Sequence, residues 1–467
     1  MGRSRTVESV EARWWRLERR AGESLRSALE RTLREAIAGG TLREGLRLPS
    51  SRALACELGV SRGVVSDAYA QLEAQGLLVS HPRAVPTVAV VPRQPEGTTD
   101  RRPRQVAARY DLTPTTPDVM LFPLSRWLAA SAQAARQAGP AALDYGHPRG
   151  EELLRRALAD HLGNTRGVIA DPDQIVITQG TAQSVQLLFR VLRAGGATAL
   201  TVEDPSHTTQ HERARAAGLR LLAQPVDEHG LIVDGLRGDA VLITPAHQFP
   251  SGSVLSGERR RALLAWAADA DRLILEDDYD AEFRYDREPV RALQGLAPNR
   301  VAQLGTVSKT LAPGLRLGWI VTPHRLTDDI EREKRLADDF SPSLDQLALA
   351  ELLRRGDYHR HVRHARSIYR RRRDKLLSAL ARHLPELEAT GAAAGMHLLL
   401  RLPLDIDDAT LSLQAQKAGL RVPALSAFCV ERTDLRGLVI GYGRLHESAI
   451  EHATRALAHL VRKHLDP

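Results

Sequence analysis

The sequence predicts two units of different fold class: a small basic unit of helices closed by a hairpin, then a larger α/β unit on a mainly parallel sheet. Three observations carry this. The chain's 467 residues exceed one ordinary folding unit. Apolar residues recur every three or four positions near the N-terminus, whereas short apolar runs alternate with helical patterns from about Asp111 onward. Charge divides the same way. Residues 1–110 hold 19 Lys+Arg against 12 Asp+Glu, a net of +7; the rest hold 46 (65 minus 19) against 45 (57 minus 12), a net of +1. A positive excess confined to one unit points to a polyanionic partner.

Composition excludes several classes. Hydrophobic content of 43% and charged content of 26% are those of a globular protein. No run of about 18 apolar residues occurs, so no membrane-spanning helix is expected. "MGRSRTVESVEARWW" lacks an apolar signal core. Cys56 and Cys429 stand far apart and form neither a disulfide framework nor a metal-ligand cluster, which fits a reducing cytoplasm and predicts no metal.

In the first unit, residues 1–91, "ESLRSALERTLREAIAGG" sets Leu25, Leu29, Leu33 and Ile37 on one helical face, stopped by Gly39 and Gly40. "LPSSRALACELG" offers Ser50 or Ser51 as the next N-cap, with Leu54 and Leu58 inward. "VSRGVVSDAYAQLEAQG" offers Ser61 as a third, with Val64, Val65, Ala68 and Leu72 inward. Residues 77–80 and 84–91 suit a hairpin wing. Two helices joined at Gly59-Val60 have helix-turn-helix spacing, which places the start of the second helix at base edges in a major groove. Arg62 and Ser66 are then candidate base or phosphate contacts, and Arg52 suits a phosphate.

Residues 37–78, "IAGGTLREGLRLPSSRALACELGVSRGVVSDAYAQLEAQGLL", resemble the winged helix-turn-helix of GntR-type bacterial regulators. That resemblance implies double-stranded promoter DNA as partner and adds Ser61, His81 and Arg83 as candidate contacts. The wing departs from the family's Gly-rich tip and reads "SHPRAVPTV". Residues 92–110, rich in Pro and Arg, read as an extended basic linker.

In the larger unit, residues 111–467, strand-like "QIVIT", "ATALTV", "AVLIT" and "RLILED" each end in polar residues, where open parallel sheets bind ligands. "TQGTAQ" opens a helix with a Gly-Thr turn whose free N–H groups suit an anion. "VEDPSH" offers the flat ring of His207, and "TPAHQFPSG" offers Gln248 as a donor. In "LILEDDYDAEFRY" an acid directly after an apolar strand either caps a helix or pairs with a protonated pyridine nitrogen. In "QLGTVSKTLAPGLRLGWIV", Lys309 can form a Schiff base with an aldehyde, and Arg316 can bind phosphate.

Taken in order, these motifs resemble the pyridoxal 5′-phosphate site of fold-type I aminotransferases, a parallel-sheet domain with a smaller C-terminal α/β subdomain. The resemblance implies Lys309 as the Schiff-base lysine, Asp277 at the pyridine nitrogen and Tyr279 near the phenolic oxygen. It implies Gly180, Thr181, Thr306 and Arg316 at the phosphate, with Tyr145 reaching the partner subunit's phosphate. His207 stands where an aromatic residue usually stacks. Leu438 or Val439 stands where aminotransferases keep an arginine for the substrate carboxylate, with Arg436 and Arg444 as alternatives.

The whole chain resembles the MocR/GabR family of bacterial transcription regulators, on "YGHPRG", "HQFPSG" and "EDDYDAEFRY". It implies a head-to-tail homodimer that binds promoter DNA and senses pyridoxal phosphate or an amino compound. The alternative is a working aminotransferase with an accessory DNA-binding unit. "RHVRHARSIYRRRRDKL", residues 360–376, reads as a helix with a cationic face, solvated or beside DNA.

Overall fold

The computed structural model describes residues 17–81, 84–89, 108–285 and 290–465. The chain divides into two compact units, Met1–Gln105 and Val106–Pro467.

The first unit holds α1 (Leu25–Ala38), α2 (Ser51–Leu58), α3 (Arg62–Ala74) and strands β1 (Leu78–Val79) and β2 (Thr87–Val88). Ser24, Ser50 and Ser61 are the N-caps, each side chain accepting from the N–H three residues on. Such a cap contributes roughly 1 kcal/mol. Gly59, at φ +65°, ends α2 in a left-handed turn that a side chain would strain. Leu29, Leu33, Leu54, Val65, Leu72 and Leu78 form the core. Leu25 departs from expectation: it is 38% exposed, and Ala28 takes the inner position. A strict four-residue row drifts off a helical face that repeats every 3.6 residues. The Tyr69 hydroxyl donates to the Pro49 carbonyl at 3.0 Å, tying α3 to the start of α2. β1 and β2 pair antiparallel, Leu78 opposite Val88.

In the second unit, β3 (Tyr110–Asp111) lies at the end of the segment read as linker and pairs in parallel with β14 (Leu420–Arg421). The main sheet has eight strands: β4 (Ile175–Thr178), β5 (Ala199–Asp204), β6 (Arg220–Asp227), β7 (Gly230–Leu231), β8 (Ala240–Ile243), β9 (Leu273–Asp278), β10 (Val301–Thr306) and β11 (Gly318–Val321). Their order is β4-β11-β10-β9-β8-β5-β6-β7. The run β10-β9-β8-β5-β6 is parallel; β11 and β7 are antiparallel to their neighbours. Helices α4 (Leu124–Ala138), α5 (Glu152–Arg166), α6 (Thr181–Ala194), α7 (Thr208–Ala216), α8 (Gly257–Asp269), α9 (Thr327–Asp338) and α10 (Ser343–Arg354) accompany it. Both sheet faces are buried. Ile175 and Ile177 pack with Trp127, Leu158 and Leu349, while Val176 between them packs with Leu188, Leu304 and Ile330. That two-residue alternation explains why the strands read as continuous apolar runs.

The remaining elements are α11 (Asp357–His383), β12 (Ala389–Thr390), β13 (His397–Arg401), α12 (Asp408–Lys417), β15 (Gly437–Gly441) and α13 (Glu447–Leu465). β12-β13-β15 form a three-stranded antiparallel sheet. Tyr369, Leu376, Leu398, Ile440, Ile450 and Leu457 share one core. The basic run on α11 is not a uniform cationic face. Arg372 and Arg373 are buried: Arg372 pairs with Asp118 at 2.7 Å and donates to the Gly443 carbonyl. Arg373 donates to the Ala392 carbonyl at 2.9 Å and packs over the Tyr285 ring. Helical periodicity turns both inward beside Tyr369 and Leu376, leaving Arg363 and Arg370 exposed. Among the described residues no helix is long and apolar enough to cross a membrane.

Candidate cofactor site

The candidate residues gather at the carboxyl ends of β4, β5, β9 and β10. Thr306 pairs with Gly318, which pairs with Thr178, so the turns after β4 and β10 meet at one edge. Gly180 is the N-cap of α6 and has no side chain to satisfy the first N–H groups, so the cap makes no side-chain hydrogen bond. The Arg316 guanidinium stands over this turn and donates to the Gln179 carbonyl at 2.6 Å. A Cβ on Gly180, whose φ is +80°, would lie 3.2 Å from that guanidinium. Arg316 is itself held at φ +52°, a conformation few non-glycine residues adopt. An open helix N-terminus, its dipole and an exposed guanidinium are features of Gly180, Thr181 and Arg316 that suit an anion.

Lys309 lies three residues beyond β10 and is half-buried. Burial lowers its ammonium pKa, opposed by the charges of Asp280 and Asp277. Burial, with Asp278 close by, pushes the Asp277 carboxyl up to about 7, and Lys309 pulls the other way. Its Oδ1 is sequestered with no hydrogen-bond partner among the described residues. A small cavity of about 30 Å³ is lined by Asp277, His207, Glu203, Thr244 and Phe249. The His207 ring tilts 33° to that of Phe249 with centroids 5.4 Å apart, and its Nδ1 meets the Thr209 hydroxyl at 3.0 Å. It is open to solvent on one side. Protein mass behind the ring, then the Lys309 and Arg213 cations, hold its pKa down at about 4, so the imidazole is neutral.

Other candidates have different partners. Gln248 is buried with its amide fully engaged: Nε2 donates to the Pro205 and Phe249 carbonyls, and Oε1 accepts from Ser251. These bonds brace the loop. The Thr306 hydroxyl donates to the Leu317 carbonyl and accepts from the Ser308 N–H, so it shapes the turn from within. Tyr279 is buried and its hydroxyl donates to the His247 carbonyl at 3.1 Å. Tyr145 is 90% exposed, edge-on to Phe340. On β15, Leu438 and Val439 are fully buried, while Arg444 pairs with Asp111 and Arg436 donates to the Thr433 and Leu435 carbonyls. None of these supplies a free cation at the cavity.

Two groups escaped the sequence reading. Glu203, at the end of β5, accepts from the Thr244 N–H and hydroxyl, and burial pushes its carboxyl up to about 7. Its signal was present: an acid directly after an apolar strand, as at Asp277. His247 Nδ1 lies 3.0 Å from Asp280 Oδ2, with the His397 ring 4.8 Å away. No local spacing links these three residues, which only the fold brings together.

On the DNA side, Arg52, Ser61 and Arg62 are exposed at the starts of α2 and α3, and Ser66 is half-buried one turn into α3. Ser61 caps α3, and Arg62 Nε donates to Ser51 Oγ at 3.4 Å. His81 is exposed at the wing, while Arg83 lies outside the described residues, as do Arg101, Arg102 and Arg104.

The fold and the site define an aminotransferase-type domain carried on the same chain as a helix-turn-helix domain. Residues 116–455 match the family Aminotransferase class I and II, and residues 25–86 match Bacterial regulatory proteins, gntR family. The chain belongs to the family of HTH-type transcriptional regulators in which these two domains are fused. It is 32% identical over 438 residues to the HTH-type pyridoxine biosynthesis transcriptional regulator PdxR of Corynebacterium glutamicum, covering 91% of this chain and 94% of that one. It is 31% identical to the probable rhizopine catabolism regulatory protein MocR of Rhizobium meliloti, covering 94% of each. Among solved structures, the kynurenine aminotransferase of Pyrococcus horikoshii matches 76% of this chain and 91% of its own, at 26% identity and a TM-score of 0.71.

Proposed function

We propose that this protein binds promoter DNA through its first unit and senses pyridoxal 5′-phosphate, or an amino compound meeting it there, through its second. One observation carries the reading: beside a helix-turn-helix, the second unit holds a site whose charges are each half-finished. The α6 N-terminus is uncapped, Asp277 Oδ1 has no donor, and Lys309 makes no hydrogen bond or ion pair among the described residues. Pyridoxal phosphate would complete all three. Gly180, Thr181 and Arg316 would hold its phosphate, Asp277 would accept from its ring nitrogen, and His207 would lie against the ring. When bound, it supplies an aldehyde carbon open to amines and an electron-withdrawing ring. Burial keeps the Lys309 amine closer to its neutral, nucleophilic form. A donor at Asp277 would return that carboxyl to its ionised state at neutral pH.

Arg62 and Ser66 would read the major groove, with Arg52 and Ser61 at the backbone. Tyr145 is 90% exposed in one chain, an aromatic surface that a homodimer would cover. The reducing environment suggested by two free cysteines supports a cytoplasmic protein. The PdxR relative is named for pyridoxine biosynthesis, and the buried Leu438 and Val439 leave β15 without a carboxylate-binding cation. Both favour pyridoxal phosphate itself as the signal over sustained transamination. The test is a titration of DNA from the gene's own upstream region, with and without pyridoxal phosphate. Wild type should change affinity about 5- to 150-fold, the usual span of allosteric coupling, and Lys309→Ala should not. Equal affinities for wild type in both conditions would overturn the sensor reading.

A further inference from the structure

A second cleft, of about 750 Å³, is lined by Pro205 and Ser251, neighbours in sequence of Ser206 and Phe249 in the candidate cofactor cavity. Ser251 and Ser253 line it from the large subdomain, built on the eight-stranded sheet, and Leu399, Arg401, Leu425 and Arg436 from the small one, built on β12-β13-β15. The size is that of a small-molecule pocket. Its charges are unequal in their commitments. Asp227 is taken by Arg259 at 2.5 Å and Arg432 by Asp434 at 2.6 Å. Arg401 is held only loosely by Glu388 at 3.9 Å. Arg436 makes no ion pair within 4 Å among the described residues, Asp407 acting on it only from farther away; one nitrogen, Nη1, donates to two carbonyls, and its remaining donors make no hydrogen bond there. Leu399, Leu425 and Val439 form a small apolar cluster with Leu435 against it.

The segments shared with the cofactor site are tied together. Gln248 holds Pro205, whose carbonyl is two residues before His207, and Phe249 packs on His207 and, at 5.0 Å, on Phe428. Asp204, at the end of β5 beside Pro205, accepts from the N–H groups of Val430, Glu431 and Arg432, so that strand end is tied to the cleft residue Arg432.

We propose that this cleft is a binding site for a carboxylate with a short aliphatic body, its carboxylate at Arg436 and Arg401 and its chain on Leu399, Leu425 and Leu435. A guanidinium with no ion pair, above an apolar floor, fits an anion with a hydrophobic tail; Glu228, also in the lining, makes the amine control a necessary one. Because both subdomains line the cleft, a bound molecule would fix their relative position, and through Phe249 the seat of His207. This regulatory output rests on the sensor reading above; the binding itself does not.

Octanoate is the probe, with octylamine and 1-octanol as controls, in calorimetry on the full-length protein. Octanoate should bind wild type and Lys309→Ala alike, and bind at least about tenfold more tightly than either control, since a charged hydrogen bond distinguishes them. Arg436→Gln should weaken octanoate about tenfold or more, with Arg436→Lys recovering part. Leu404→Glu, at an exposed position on the rim, should also weaken it if Arg436→Gln fails to fold. No octanoate binding, equal binding of the three probes, unchanged affinity in these variants, or loss in Lys309→Ala would overturn the site. Failure of the sensor reading would show separately, as DNA affinity indifferent to pyridoxal phosphate.

Discussion

Asp277 shows how burial stores a chemical preference. Desolvation and Asp278 raise its carboxyl to about 7, and one oxygen has no donor. Asp277→Asn should therefore fold but retain pyridoxal phosphate about tenfold or more less tightly, measured by dialysis against absorbance of the bound cofactor; a charged hydrogen bond of this kind is worth roughly 1.5–3 kcal/mol. Unchanged retention would remove Asp277 from the site. Glu203 carries a pH consequence. Its folded pKa of about 7 lies above its ordinary 4.5, so its stabilising contribution is complete below 4.5 and is lost as pH rises to 7. Glu203→Gln should flatten the wild type's fall in stability across that window, by up to about 1.4 kcal/mol per pH unit, in denaturant titrations.

Elements are joined by buried charges that cannot be removed singly. Arg166 at the end of α5 pairs with Asp278 at the end of β9 at 2.8 Å, and both side chains are about 5% exposed or less. Arg166→Ala should destabilise by roughly 3–5 kcal/mol, because it strands a buried carboxylate. Chemical denaturation showing less than about 1 kcal/mol would mean the pair is screened by water. On α11, Arg372→Glu should unfold the small subdomain, since it sets a carboxylate against Asp118. The exposed Arg363→Glu and Arg370→Glu should leave DNA affinity and its salt slope unchanged, whereas Arg62→Ala should weaken binding by about 1–3 kcal/mol if it reads a base. A shallower salt slope in the α11 variants would place that helix on the DNA.

At the scale of the molecule, a ligand moves DNA occupancy only if it binds one conformation better than another. The large and small subdomains of the second unit are joined by a shared core at Phe283 and Tyr285 and by hydrogen bonds, Asp204 to residues 430–432 and Arg432 to the Val226 carbonyl among them. A ligand that tightens those ties has the differential contact that coupling requires. Tyr145 adds a copy-to-copy route if a second chain covers it.

The sequence by itself determined the elements and their caps. Apolar periodicity, serines at helix starts and glycines at helix ends act within a turn or two, so α1–α3 and the parallel strands were legible in order. It also placed Lys309, Asp277, Gly180 and Arg316 at strand ends, because ligand sites on such sheets follow topology. Tertiary structure alone decided which polar atoms were left over. Gln248 and Thr306 have ligand-like chemistry, yet neighbours distant or across a turn consume their hydrogen bonds. Arg372 and Arg373 look solvated in a basic run but are buried by packing. Hydrogen-bond commitment and burial depend on residues more than a hundred positions apart, as Asp118 is from Arg372, and no local pattern encodes them.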